Sequence, residues 1–319
     1  LQPFKVYFIG ICGISMSALA MYLTGKNVTV SGCDSVGGEV AGMLNRGGVD
    51  VRIGNGIDEN LKKSELVIYS SAVPETDERL EYARKSGKVI LSRAELLAEI
   101  CNCYPFCIGV AGTHGKTTVT AMIAHILKCA KMPFDAHIGG LDIDFGNIYT
   151  GGGERFLTEI CEYKHNIKYF APAVGVVLNV APDHLESYGS FSCLAREFAS
   201  FSGRSGLVIA NGDDDIAKNF GGIKFSLKNK RCEYYACKIK AKTNGFKFTV
   251  YERGKKLGNF FVKGIFEHNV RNALAAIAAS RTCGADKKSI ACGLKNFRGV
   301  KRREEWLGKI KGVKVFADY

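Results

Sequence analysis

The run Ile108-Gly-Val-Ala-Gly-Thr-His-Gly-Lys-Thr-Thr118 decides how the second half of this chain folds. The segment from Phe106 to Ala111 is apolar and predicts a buried strand. Apolar residues recur at helical spacing from Thr120 to Lys128 and predict a helix. A strand, a glycine loop and a helix N-terminus form a cradle for phosphate, because loop amides and the positive end of the helix dipole face the anion. The run therefore predicts a phosphate-binding loop.

The glycine spacing of this loop differs from that of the common P-loop. The common pattern places a glycine where this chain has Val110. Here Gly112 and Gly115 stand closer together, and Lys116 and Thr117 follow. These side chains suit the site, since an ammonium neutralises phosphate oxygens and a hydroxyl can hold Mg²⁺. An ordinary glycine turn with a surface lysine is the alternative, but the strand–loop–helix context favours nucleotide binding.

Bulk composition is that of an ordinary globular protein. The chain has 319 residues, enough for two domains, with 46% hydrophobic and 24% charged residues. Its net charge of +13 comes from scattered lysines, which fit a lysine-rich proteome or an anionic small ligand, so we expect no nucleic-acid partner. No apolar run approaches the roughly 20 residues of a membrane span, and no signal-peptide pattern is present. We expect a cytoplasmic protein without a membrane partner, and reduced cysteines.

The first hundred residues alternate strands and helices and predict a Rossmann-like domain. A strand at Phe4–Ile9 leads into the turn Gly10-Ile-Cys-Gly-Ile-Ser-Met16. As a dinucleotide fingerprint this turn is weak, because Cys12 and Ser15 stand where glycines are usual. Asp34 follows the second predicted strand, where a ribose hydroxyl is often held. An ordinary turn aspartate is an equal alternative.

Acid and histidine side chains follow predicted strands of the second unit. Glu159 ends one strand, and the most strand-like run of the chain leads into Asn179-Val-Ala-Pro-Asp-His184. Because the carboxyl ends of parallel strands form the ligand-binding edge of a sheet, we expect Thr117, Glu159 and His184 to converge on a metal ion bound to the phosphates. The alternatives are a surface ion pair for the glutamate and a turn position for the histidine.

The rest of the second unit combines turns, hairpins and a capped helix. Glycines at 139–140 and 151–153 predict turns in an irregular stretch. Residues 232–263 alternate with the period of a strand and predict antiparallel hairpins. The run His268-Asn-Val-Arg-Asn272 precedes an alanine-rich helix, where it could read a base edge or serve only as a cap.

Four motifs in this order resemble the Mur ligases, and the resemblance covers nearly the whole chain. They are Gly112-Thr-His-Gly-Lys-Thr-Thr118, Asn179-Val-Ala-Pro-Asp-His184, His268-Asn-Val-Arg-Asn272 and Gly299-Val-Lys-Arg-Arg303. The histidine in the loop, the first glycine turn and Ser70-Ser-Ala-Val73 are similar to the branch that joins L-alanine to UDP-N-acetylmuramate. The resemblance implies an ATP-dependent amide ligase of peptidoglycan precursor synthesis that works through an acyl phosphate.

The resemblance also implies roles for individual residues. Lys116 would neutralise the β- and γ-phosphate oxygens, Thr117 would hold Mg²⁺, and Glu159 and His184 would hold a second ion, with Glu162 as a rival to Glu159. Arg302 or Arg303 would offer charge near the transferred phosphoryl group. ATP would contact Gly112, Thr113, His114, Gly115, Lys116, Thr117, Thr118, His268, Asn269 and Asn272. UDP-N-acetylmuramate would contact Gly10, Gly13, Asp34, Ser70 and Ser71.

The implied fold is α/β with a Rossmann-like N-terminal domain and a P-loop-type α/β central domain that carries an added antiparallel segment. We expect a UDP-sugar domain at 1–103, an ATP domain at 104–300, and a linker at 301–319 that begins a third domain. The chain ends at Phe316-Ala-Asp-Tyr319, where the family continues into its amino-acid domain. We therefore expect a truncated, inactive chain that binds ATP and UDP-sugar.

Two other functions remain open at this point. One is a non-catalytic protein that binds a nucleotide-sugar and ATP. The other is a related ligase that recycles a muramoyl-tripeptide, since the domain that selects the amino acid or peptide is the third one. A folate polyglutamate ligase is disfavoured, because that branch lacks a UDP-sugar domain of this type.

Overall fold

A computed structural model of the chain describes residues 4–310 and 313–318. The chain divides into two compact units, 1–103 and 104–319. Tyr319, the last residue of the predicted end motif, lies outside the described residues.

The first unit is a five-stranded parallel sheet with helices between its strands. Its strands are β1 (Lys5–Ile9), β2 (Thr29–Asp34), β3 (Asp50–Ile53), β4 (Leu66–Tyr69) and β5 (Val89–Ser92). Its helices are α1 (Ile14–Thr24), α2 (Glu39–Arg46), α3 (Glu59–Lys63), α4 (Glu78–Lys85) and α5 (Arg93–Asn102). The order β3-β2-β1-β4-β5 confirms the predicted Rossmann-like fold and reverses between β1 and β4, the point at which such sheets bind ligands.

Side-chain caps set the starts of three of these helices, α3, α4 and α5. Helix α4 begins at Glu78, because the Asp77 carboxylate accepts a hydrogen bond from the Arg79 amide at 2.9 Å. At the start of α5, Ser92 Oγ accepts from the Glu95 amide at 3.2 Å, and Glu95 Oε2 accepts from the Ser92 amide at 2.8 Å. This reciprocal capping box satisfies two amides that have no partner within the helix.

The second unit contains a ten-stranded mixed sheet in the order β15-β14-β13-β12-β11-β10-β6-β9-β7-β8. These strands are β6 (Phe106–Ala111), β7 (Asp135–Asp142), β8 (Gly146–Thr150), β9 (Arg155–Glu159), β10 (Val174–Val177), β11 (Leu207–Asn211), β12 (Ile223–Ser226), β13 (Tyr234–Lys242), β14 (Gly245–Glu252) and β15 (Lys255–Lys263). Strands β16 (Glu305–Ile310) and β17 (Val313–Ala317) form a separate antiparallel pair. The central strands are parallel, and β13, β14 and β15 are antiparallel as predicted.

Helices of the second unit pack on the ten-stranded sheet and on one another. They are α6 (Lys116–Cys129), α7 (Leu185–Tyr188), α8 (Phe191–Arg204), α9 (His268–Thr282) and α10 (Lys287–Asn296). Helix α6 begins at Lys116, before the predicted start at Thr120, because the phosphate loop runs directly into its first turn. Among the described helices, none combines the length and apolar character needed to cross a membrane.

Two expectations from the sequence were wrong. The turn expected at Gly139-Gly140 is instead part of β7, which pairs with β8 in an antiparallel hairpin, whereas the glycines at 151–153 follow β8 outside any strand, as expected. The glycines of β7 hid the side-chain alternation that marks a strand. The cysteines are not all reduced either, since Cys129 of α6 and Cys292 of α10 form a disulfide with a Cα–Cα distance of 6.1 Å. They are separated by 163 positions, so no local spacing could have indicated the pair.

Helices α6 and α10 approach each other at a glycine. A Cβ atom built at Gly293 would lie 2.5 Å from the Cα atom of Ile126, a backbone atom that cannot rotate away. Gly293 and Ile126 are both buried in the main core of the second unit. The glycine therefore sets how closely α10 packs on the helix that carries the phosphate loop.

The substitution Gly293→Ala should lower the free energy of unfolding by about 1–3 kcal/mol, because overpacking forces the helices apart. The matched control is Gly203→Ala on the exposed face of α8, where a Cβ would meet nothing within 4 Å. Alanine there should be neutral or stabilising, since glycine disfavours helix by about 1 kcal/mol. Urea unfolding of both variants measures the difference, and equal stability would show that α6 and α10 are not closely packed.

Candidate functional site

The phosphate loop between β6 and α6 needs glycine at two positions. Gly112 has φ +143° and Gly115 has φ +88°, conformations that side chains disfavour. A Cβ at Gly112 would lie 3.0 Å from Leu178 Cβ, and one at Gly115 would lie 2.9 Å from Asn272 Oδ1. The two glycines whose spacing differs from that of the common P-loop therefore lie where Leu178 and Asn272 come close to the loop.

Asn179, two residues after the end of β10, fixes the loop from one side. Its Oδ1 accepts from the His114 amide at 2.8 Å, and its Nδ2 donates to the His114 carbonyl at 2.9 Å. Two residues on, the Ala181 amide donates to Thr113 Oγ1 at 2.9 Å. These contacts use the polar groups of His114 and Thr113 that face β10, and they hold the loop in one conformation.

Lys116 is partly buried at the first position of α6 and is neutralised by the protein itself. Its Nζ donates to the carbonyls of Gly112 at 2.6 Å and Thr113 at 3.2 Å, and to Glu162 Oε2 at 2.9 Å. Glu162 is 1% exposed. Burial alone would lower the pKa of the Lys116 ammonium, but the negative charges of Glu162 and Glu159 outweigh it and raise that pKa. Lys116 is therefore a fixed positive charge at the loop.

Thr117 and Glu159 meet beside this ion pair. Thr117 Oγ1 donates to Glu159 Oε2 at 2.6 Å. A Cβ at Gly139 would overlap Glu159 Oε1 at 1.6 Å, and one at Gly140 would lie 2.9 Å from Thr117 Cγ2. The two glycines of β7 therefore make the room in which this hydroxyl and this carboxylate lie together.

His184 lies with a different pair of carboxylates. Ligand atoms of Glu162, Asp183 and His184 all lie within 4.8 Å of one another. Among the described residues Glu159 is not part of this group. The side-chain atoms on both sides of Lys116 that could bind a metal are mostly oxygens. Mg²⁺ prefers oxygen ligands, so these residues fit that ion. Joint ligation by Thr117, Glu159 and His184 stays a prediction, with Glu162 and Asp183 as further candidates.

A cleft of about 1300 Å³ opens from the phosphate loop along α9. Most residues predicted to contact ATP line it: Thr113, His114, Gly115, Lys116, Thr117, Thr118, His268, Asn269 and Asn272. The structure therefore brings the loop and the start of α9, far apart in sequence, to one surface. Gly112, the remaining predicted residue, is not among the residues that line the cleft, and a Cβ there would lie 3.0 Å from Leu178 Cβ.

Among the described residues, three arginines line the same cleft, namely Arg271, Arg298 and Arg303. Arg303 lines the cleft with the phosphate loop. Arg302, the alternative, is exposed, is not among the lining residues, and has φ +60° with its amide bonded to Glu305 Oε2 at 2.9 Å. Arg271 of α9 also lines the cleft, and its buried Nε has no hydrogen-bond partner within the described part of the chain.

Arg271 was missed as a functional candidate, because one arginine within a helix-start motif carries no signal without the cleft. Glu304 was missed for a similar reason, although its carboxylate contacts both His268 and Asn269. Sequence reasoning gave neither residue a role.

In the first unit, the five residues predicted to bind UDP-sugar follow adjacent strands. Gly10 and Gly13 follow β1, Asp34 ends β2, and Ser70 and Ser71 follow β4. Strand β1 lies between β2 and β4. All five residues are therefore at the carboxyl edge of the sheet, around its switch point.

Asp34 organises the glycine turn of this first unit. Its Oδ2 accepts from the Cys12 amide at 2.8 Å, and its Oδ1 accepts from the Val36 amide at 3.1 Å. Burial, with a smaller contribution from Asp34, raises the pKa of the Cys12 thiol to about 11, so the thiol is neutral at physiological pH. Gly10 has φ +81°, and a Cβ there would lie 3.1 Å from Ser70 Cβ. Asp34 thus holds the turn itself, in addition to any ribose contact.

The fold and the phosphate loop define a nucleotide-binding α/β protein. Residues 5–104 match the model of the Mur ligase family catalytic domain, and residues 110–280 match that of the Mur ligase middle domain. The chain therefore belongs to the Mur ligase family.

Individual relatives resemble the chain over nearly all of its length. UDP-N-acetylmuramate–L-alanine ligase of Clostridium acetobutylicum is 36% identical, over 99% of this chain and 70% of that protein. The enzyme of the same name from Acetivibrio thermocellus is 37% identical, over 98% of this chain and 69% of that protein.

Solved structures agree with these relatives. UDP-N-acetylmuramate–alanine ligase of Thermotoga maritima has a TM-score of 0.88 and 28% identity, covering 99% of this chain and 74% of that chain. A murein peptide ligase of Psychrobacter arcticus has a TM-score of 0.83 and 25% identity, covering 99% of this chain and 73% of that chain.

The substitution Asn179→Ala should lower the free energy of unfolding by about 1–3 kcal/mol, because it leaves the amide and carbonyl of His114 without their partner. It should also weaken nucleotide binding, since the loop is no longer held in one conformation. Calorimetric titration and urea unfolding measure the two effects.

The control for this variant is Asn259→Ala on β15, which removes a 2.9 Å hydrogen bond to Thr249 outside the cleft. It should cost stability without changing nucleotide affinity. If both variants bound nucleotide as tightly as the unaltered chain, Asn179 would have no part in forming the site.

Proposed function

We propose that this chain carries the ATP and UDP-N-acetylmuramate sites of an ATP-dependent ligase that joins L-alanine to UDP-N-acetylmuramate. The observation that carries the proposal is the loop from Gly112 to Thr118, with Lys116 paired to Glu162 and Thr117 bonded to Glu159. Relatives that are 35–37% identical to this chain bear the name UDP-N-acetylmuramate–L-alanine ligase. A murein peptide ligase is the second candidate, because its structure has a TM-score of 0.83 to this chain.

The chemistry proposed for the second unit is phosphoryl transfer, which depends on positioning and neutralisation of charge. The loop amides and Lys116 would bind the β- and γ-phosphates of ATP. The γ-phosphoryl group would pass to the lactyl carboxylate of the muramate and form an acyl phosphate. The amine of L-alanine would then attack the acyl carbon, form the amide and expel phosphate.

Mg²⁺ would be held by Thr117, Glu159 and His184, with Glu162 as a rival ligand, and would neutralise phosphate charge. Arg303, which lines the cleft, supports a role for guanidinium charge near the phosphates better than the exposed Arg302. His268, Asn269 and Asn272 would contact the adenine side of the nucleotide. Catalytic roles for Lys116, Glu159 and His184 are part of this proposal.

UDP-N-acetylmuramate would bind at the glycine turn of the first unit. The amides around Gly10 and Gly13 would face the diphosphate, and Asp34, Ser70 and Ser71 would contact the rest of the nucleotide. Because ATP and a nucleotide-sugar are the substrates, we place the reaction in the cytoplasm.

Lys116→Ala should abolish detectable ATP binding by calorimetry, since no other side chain of the loop carries a fixed positive charge. Lys128→Ala, at the other end of α6, removes a lysine that contacts Tyr149 and should bind ATP normally. Unchanged ATP affinity in Lys116→Ala would mean that the loop is not the phosphate site.

UDP-N-acetylmuramate at millimolar concentration should raise the melting temperature of the chain, because a ligand that binds only the folded state stabilises it. Asp34→Ala should remove this shift, since the glycine turn loses the carboxylate that holds it. Asp50→Ala, on an exposed residue of β3, should retain it. A melting temperature that does not respond in the unaltered chain would contradict the substrate assignment.

A further inference from the structure

The carboxylate of Glu304 binds two side chains at the start of α9. Its Oε1 lies 2.9 Å from His268 Nε2, and its two oxygens lie 3.0 and 3.1 Å from Asn269 Nδ2. The Ile265 amide donates to Oε2 at 2.8 Å. Burial alone would raise the pKa of Glu304, but the hydrogen bonds from His268, Ile265 and Asn269 outweigh it and lower that pKa. Glu304 is therefore ionised at neutral pH.

This contact fixes the orientation of the Asn269 amide. An ionised carboxylate only accepts hydrogen bonds, so Asn269 must present its NH₂ group to Glu304. The same Nδ2 also donates to the Phe266 carbonyl at 3.2 Å. Gly264 packs against this group, because a Cβ there would lie 2.3 Å from Nδ2. Both donor hydrogens of the amide are thus used within the protein.

The oxygen of the same amide has no such partner. Asn269 Oδ1 receives no hydrogen bond from residues 4–310 and 313–318. Asn269 is 6% exposed and lines the cleft that leads to the phosphate loop. His268, whose Nε2 contacts Glu304, lines the cleft too. Glu304 therefore leaves the amide oxygen of Asn269, and not its NH₂ group, for a ligand.

We propose that Glu304 is a positioning residue that makes this cleft select a purine with an amino group at C6. A 6-amino group donates a hydrogen bond to the amide oxygen, whereas a 6-oxo group places a second acceptor against it. The inference rests on the proposed use of ATP. The opposite possibility is that Glu304 occupies the place of the base and competes with it.

The test uses ATP and inosine triphosphate, which differ at the 6-position of the purine and in the protonation of the adjacent ring nitrogen. Calorimetry with Mg²⁺ gives the ratio of their affinities for the 319-residue chain. The unaltered chain should prefer ATP. In Glu304→Ala the amide can rotate and offer its NH₂ group, so the ratio should fall about tenfold, the effect of one hydrogen bond.

Two further variants make the result specific. Glu304→Gln can still offer a carbonyl oxygen to Asn269 Nδ2 and should keep most of the preference. Glu267→Ala removes an exposed carboxylate one residue before His268, outside the cleft, and should not change the ratio. Melting temperatures check that each variant is folded, and Glu304→Leu, of similar volume, replaces the alanine variant if that one is not.

The outcomes separate the inference from the proposed function. A normal ATP preference that survives in Glu304→Ala and Glu304→Leu overturns the inference alone. Tighter binding of both nucleotides at an unchanged ratio also overturns it, because Glu304 would then compete with the base. If the unaltered chain bound neither nucleotide, the proposed use of ATP would fail, and the inference with it.

Discussion

The second unit depends on the charge of Lys116, which is placed at a helix start with little access to water. An unpaired charge in such a position costs several kcal/mol, so the surrounding structure has to supply partners. It does so with two loop carbonyls and with Glu162, which lies 2.9 Å away and is itself buried. The loop conformation and the segment after β9 are therefore fixed by one electrostatic requirement. A phosphate that enters the loop would meet a lysine already in position.

The order of the sheet explains how the other groups reach this point. Strand β6, which leads into the loop, lies between β10 and β9. Strand β9 ends at Glu159 and leads to Glu162, while β10 leads to Asn179 and His184. Parallel neighbours end at the same edge, so these side chains meet there although they are far apart in sequence. The added strands β13 to β15 and helix α9 then extend the cleft away from the phosphate loop, toward Asn269 and Glu304.

Much of this could be predicted from the sequence, since apolar runs and glycine turns are local signals. The strand Phe106–Ala111 has the bounds that its apolar pattern indicates. The hairpin of β7 and β8 could not be predicted, because Gly139 and Gly140 are required by the close approach of Glu159 and Thr117, a tertiary contact. The disulfide and the contacts of Glu304 are also tertiary. The pairing of Lys116 with Glu162 was missed because a motif gives residue types and not distances.

The central claim is that the loop from Gly112 to Thr118 binds the phosphates of ATP. A crystal structure of this chain with a non-hydrolysable ATP analogue and Mg²⁺ tests it most directly. The account predicts phosphate oxygens about 3 Å from Lys116 Nζ and from the loop amides, with the base beside Asn269. Phosphates bound elsewhere, with the loop empty and Lys116 contacting only Glu162 and the loop carbonyls, would contradict it.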